Sequence, residues 1–167
     1  TLYARAVVSD PFGSFDIMFF SATLGHYISD AHVPFHAVEN YDGQLSGQHG
    51  IHARYEAILF ERYRNQLTIA PKPARAIANP RDFLFDVIIE GSQMVLPILK
   101  ADLDAIGTRD VYDDVYYESF FAASRPVLER RLNESITAVA GAIVGAWEAA
   151  GKPALPLDPP PTPQRKR

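Results

Sequence analysis

The chain has 167 residues, of which 47% are hydrophobic and 22% charged, a composition that suits one globular domain with a sizeable core and argues against disorder or a fibrous architecture. A formal net charge of -4 excludes a broad basic surface, so any contact with nucleic acid has to be local. Cysteine is absent, which removes thiolate zinc sites and disulfides and leaves His, Asp and Glu to supply any metal ligands; no uninterrupted apolar run reaches the length of a membrane span.

From Phe15 to about His32, the residues Phe20, Leu24, Tyr27 and Ile28 recur at helical spacing, and Pro34 turns Val33 away from helical geometry. A first helix is therefore predicted to stop just before Pro34. The segment AVENYDGQLSGQHG is turn chemistry and predicts a long loop. Tyr55, Leu59 and Tyr63 mark one face of a second helix from Ile51 to about Ile69, followed by the connector APKPARAIANP. A third helix is predicted from near Pro80 to about Ile106 with a kink at Pro97. A fourth is predicted from about Val111 to Ala150, divided or bent at Pro126 and ended by Gly151. Strand signal is confined to the first few residues. The fold class is expected to be all-α: a compact multi-helix domain over 1-152, with a metal cluster held between helices, then a Pro-rich, extended and mobile tail over 153-167.

All five histidines fall between positions 26 and 52, in a chain not otherwise biased toward that residue. His26 and Asp30 are spaced i, i+4, which stacks an imidazole and a carboxylate on one helix face; His52 and Glu56 repeat the arrangement on the next helix. A single such pair is ordinarily a surface hydrogen bond. Two pairs, with His36 placed just past the Pro34 break where its side chain can reach back toward His52 and Glu56, point to metal. Three protein ligands that leave one position for water are the arrangement of a catalytic zinc. His32 faces away from His26 and Asp30 on a regular helix, so a role behind the ligands or in anchoring the loop is expected, and His49 is expected to line the cleft. HExxH, an adjacent His-Asp dyad, Glu-x-x-His, a P-loop, GxSxG and GxGxxG are all absent.

The segments GHYISDAHVPFH (Gly25 to His36) and GIHARYEAIL (Gly50 to Leu59) resemble the zinc-dependent bacterial phospholipase C family and its relatives, the single-strand-specific zinc nucleases. That superfamily uses an H-x-x-x-D pair, a His ten residues after the first, and a later H-x-x-x-[DE] pair, and each element is matched. Glu56 and the GxHxxYE wording are closer to the phospholipase branch, and AGAIVGAWEAAGKPALP looks like the last helix of such proteins. The resemblance implies that His36, His52 and Glu56 bind one zinc and His26 and Asp30 a second, with Asp30 bridging to a third. It makes Asp30 and Glu56 the catalytic carboxylates. The implied function is hydrolysis of phosphoric (di)esters by metal-activated water, phospholipase C-like. The alternatives are a single-strand-specific nuclease or a truncated, non-catalytic zinc-binding helical module. The implied substrate is a phospholipid or single-stranded nucleic acid, and the implied location is secreted or periplasmic. The family also draws ligands from an N-terminal residue, an early His, and an Asp and His upstream of the H-x-x-x-D helix. No histidine precedes His26 here. The chain is accordingly expected to begin inside the domain, with the upstream segment missing or on another chain, or to be a reduced relative with a simpler site. One or two of the family's three zinc ions are expected on this chain alone.

Other features have plainer readings. Asp10 and Asp16 are expected in turn or helix-start roles. The aromatic run Tyr112, Tyr116, Tyr117, Phe120 and Phe121 has helical spacing and is expected in the core. Arg54, Arg62 and Arg64 are expected on a solvated face.

Overall fold

The computed structural model describes residues 13–155, and every regular element among them is helical. Helix α1 runs Gly13–His32 with Asp16 in its first turn, where a carboxylate suits the positive end of the helix dipole. Val33 is extended, as a residue preceding proline prefers, and the chain then makes a 3-10 turn over Pro34–Ala37. Asp10, the early strand signal and most of the Pro-rich tail lie outside the described residues.

The second helix, α2, is composite. It starts as Ile51–Ala53, widens into a π-helical turn over Arg54–Ile58, and resumes as Leu59–Tyr63 before a 3-10 turn at Arg64–Gln66. The widening is visible in the Leu59 N–H, which donates to the Arg54 carbonyl five residues back. The helix is shorter than predicted: Leu67 is extended and begins the connector.

The predicted third helix is two helices, α3 over Pro80–Gln93 and α4 over Val95–Ile106, parted at Met94. Proline has no N–H and its ring clashes with the carbonyl four residues back; for Pro97 that carbonyl belongs to Gln93, where α3 ends. Pro126 does not divide the last helix, α5, which is continuous over Asp114–Ala149. Side chains start α3 and α5: Asn79 accepts from the Asp82 N–H, and Asp113 accepts from the Tyr116 N–H at 2.8 Å.

The main core gathers α2, α4 and the first half of α5 around Phe35, Ile51, Tyr55, Leu59, Ile98, Tyr116 and Phe120. The aromatic run is core as expected, except that Tyr112 stays exposed. A smaller cluster of Ile28, Ala138 and Ala142 seats α1 on the later part of α5. The connector from Leu67 to Asn79 lies along α5. Asn133 holds it at both the Thr68 carbonyl and the Ala70 N–H, and the Ile77 N–H donates to Gly141. No helix among the described residues is long and apolar enough to cross a membrane.

Candidate metal centre

The Pro34 break and the start of α2 bring three sequence-predicted residues together. A nitrogen of His36, a nitrogen of His52 and a carboxylate oxygen of Glu56 all lie within 4.8 Å of one another. His52 Nε2 is 2.7 Å from Glu56 Oε2, and His36 Nε2 is 3.8 Å from the same oxygen. The His36 and His52 rings meet edge to face at 4.8 Å, and Phe35, wholly buried, packs beneath His52. The side chains of His36, His52 and Glu56 are 33%, 22% and 44% exposed, so the group is fixed from below and open above.

The local sequence explains this placement. Asp42 accepts from the His52 N–H at 3.3 Å, tying the loop to the first turn of α2. Gly50 enters the helix with φ 79°, a left-handed conformation that favours glycine. Behind the helix, Arg54 is buried at 5% exposure, which corrects the expected solvated face; Arg62 and Arg64 are exposed as expected. The Arg54 guanidinium donates to Asp102, to the carbonyls of Gln48 and His49 and to the Tyr116 hydroxyl, while Gln48 donates to Asp102 at 2.7 Å. Burial works against the Arg54 charge, but Asp102 and the Tyr116 hydroxyl together outweigh it and the guanidinium is held above its ordinary range. This network clamps the loop end, α2, α4 and α5 together, with Arg54 two residues from both His52 and Glu56.

His26 and Asp30 form a second pair on α1, with Nε2 and Oδ2 3.3 Å apart and side chains 69% and 35% exposed. Among the described residues no third His, Cys, Asp or Glu joins them to make a metal-sized group. Asp30 and Glu56 nonetheless line one cavity of about 350 Å³ between α1, α2 and α5. His32 is buried in the wall of that cavity, and its Nδ1 lies 2.7 Å from the Ile28 carbonyl. A carbonyl only accepts, so Nδ1 carries the proton, and burial holds the imidazole below its ordinary pKa in the neutral form. His49 is exposed and contributes its backbone carbonyl to Arg54.

The three gathered donors fit zinc by chemistry and by spacing. Nitrogen and carboxylate ligands sit about 2.0 to 2.2 Å from zinc, which puts tetrahedral neighbours about 3.3 Å apart. The 2.7 and 3.8 Å separations of the two histidines from the Glu56 oxygen bracket that value.

No protein-family model matches the chain, and neither a curated protein nor a solved structure matches it.

Proposed function

We propose that this chain carries the metal-binding part of a zinc-dependent hydrolase of phosphoric esters, phospholipase C-like in its chemistry. The observation that supports the reading most is the convergence of His36, His52 and Glu56 on one point with solvent-facing space above it. The GHYISDAHVPFH and GIHARYEAIL segments supply the phosphoester expectation through their resemblance to the phospholipase C and zinc nuclease superfamily. A zinc ion at this point would supply Lewis acidity toward a phosphoryl oxygen and make water acidic enough to attack near neutral pH.

The protein's own groups take the remaining tasks. His36, His52 and Glu56 hold the position of charge, and the Arg54–Asp102 clamp keeps two of them in register on α2. Asp30, on the wall of the cavity that Glu56 also lines, offers a carboxylate to take up a proton from an attacking water. The acidic overall charge of -4 favours the lipid-type ester over single-stranded nucleic acid, whose backbone calls for a cationic track.

The test combines zinc content by elemental analysis with turnover of phosphatidylcholine and of single-stranded DNA, in the wild type and in Glu56→Ala. The proposal expects bound zinc, release of phosphocholine, and loss of both in the variant. Bound zinc with neither substrate cleaved establishes a non-catalytic metal-binding module instead, and DNA cleavage alone moves the assignment to the nuclease branch.

A further inference from the structure

The cavity between α1, α2 and α5 holds a polar atom that metal binding leaves unused. His32 is 3% exposed in its wall, and its Nδ1–H is engaged by the Ile28 carbonyl. Nε2 is thereby a bare acceptor. It has no partner among the described residues, and it is not sealed from solvent as the Tyr55 and Ser124 hydroxyls are. The little surface that His32 keeps therefore opens on the cavity. In the unfolded chain water donates to this nitrogen, and in the folded one only a donor from outside the protein restores that bond.

Charge narrows what the donor is. Arg131 is the cation of the wall, and its N–H groups are all taken. Nε–H goes to the His32 carbonyl, one terminal nitrogen to Glu90 and Glu134, and the other to the carbonyls of Ala31 and Val87. It has no donor left for an anion. Asp30 and Glu56 place two carboxylates on the same cavity, so its potential favours positive charge. Much of the remaining wall is apolar, from Val33, Pro34, Leu128 and Leu132, and the volume of about 350 Å³ lies near the small end of the range for organic-ligand sites.

We propose that this cavity binds a primary ammonium group carried on a small hydrocarbon, with one N–H donated to His32 Nε2 and the charge lying toward Asp30 and Glu56. The apolar walls receive the hydrocarbon. A quaternary ammonium lacks the N–H and a neutral alcohol lacks the charge, so each satisfies only half of the site. The site is distinct from the zinc reading, because His32 is not among the three gathered donors.

Benzylamine, cationic at neutral pH, is the probe, and it is titrated into the metal-free protein. The His32 ring nitrogens are followed in a long-range proton–nitrogen NMR spectrum. A saturable shift of Nε2 toward the hydrogen-bonded range is expected, with Nδ1 unmoved. Benzyltrimethylammonium and benzyl alcohol are each expected to bind about tenfold more weakly, and the first to leave Nε2 in place. Asp30→Asn removes one carboxylate from a half-exposed position and is expected to weaken benzylamine about threefold or more while leaving benzyl alcohol unchanged. His32→Phe keeps a buried ring without the acceptor and is expected to bring benzylamine down to the affinity of benzyltrimethylammonium; the nitrogen shift in the wild type decides the matter if this variant does not fold. An Nε2 resonance that benzylamine does not move, or equal affinity for benzylamine and benzyltrimethylammonium, overturns the assignment. Zinc titration of the same protein separates the two claims. Benzylamine binding without zinc binding upholds the cavity and sinks the hydrolase reading, and zinc binding without benzylamine does the reverse.

Discussion

His26–Asp30 on α1 and His52–Glu56 on α2 have the same four-residue spacing and the same ligand chemistry, yet the fold treats them differently. The first pair stands 3.3 Å apart with its histidine 69% exposed, while the second stands 2.7 Å apart with its histidine 22% exposed and His36 beside it. The difference comes from what lies behind each helix. Beneath α2 are the wholly buried Phe35 and the Arg54–Asp102–Tyr116–Gln48 network. Around the first pair, Tyr27 is exposed, and Ile28 with the half-buried Leu24 meets only the small core cluster. Spacing on a helix thus decides which side chains are neighbours, and anchoring of the helix decides whether they are held as a site.

The largest effect is expected from removing the anchor. Arg54→Met keeps much of the aliphatic bulk but leaves Asp102, 1% exposed, without its cation. Breaking one partner of a buried ion pair typically costs about 3 to 5 kcal/mol, because the remaining charge is stranded. Urea unfolding should show a loss of that order, and zinc affinity should fall with it. A loss under about 1 kcal/mol would mean that Gln48 and Tyr116 alone satisfy Asp102, and the contrast between the two pairs would need another cause.

The next effect tests the pairs directly. His52→Ala takes one of three gathered donors and is expected to weaken zinc binding by about 100-fold or more, since losing a group that only hydrogen-bonds a ligand already costs about 10- to 100-fold. His26→Ala is expected to leave the tightest zinc equivalent unchanged. Competition with a chromophoric chelator reads both. Equal losses in the two variants would show that α1 shares the tight site and would erase the distinction drawn here.

Much of this arrangement was legible in the residues, and the reasons are local. Pro34 must stop α1, so His36 had to leave the helix axis, and i, i+4 spacing had to align His52 with Glu56. What was not legible depends on long-range packing. Arg54 looks like any helix-surface arginine until Asp102, 48 positions later, meets it. The π-helical turn that carries Tyr55 and Glu56 leaves no mark in the periodicity of so short a helix. Pro97 predicts a kink inside one helix, but its steric conflict falls on the carbonyl of Gln93, and the chain parts into two helices at Met94. The cavity needs α1, α2 and α5 in place, so no single segment announces it.

The smallest expected effect bears on the loop, which supports only the second pair. Gly43 has φ 76°, and a Cβ there would come within 2.4 Å of the Gln48 carbonyl oxygen. The Gly43 carbonyl accepts from the Gln48 N–H at 2.9 Å, closing the turn that delivers Gln48 to Asp102 and Asp42 to the His52 N–H. Gly43→Ala therefore combines left-handed strain with a backbone contact that has to shift, a cost of about 2 kcal/mol. Because the shift lands on Gln48 and Asp42, the loss should reach the His36–His52–Glu56 group and lower zinc affinity several-fold. The His26 ring resonances, on a helix this loop does not cap, should stay in place in the NMR spectrum. Movement of the His26 resonances along with those of His52 would show that α1 and the loop are mechanically coupled and that the two pairs belong to one unit.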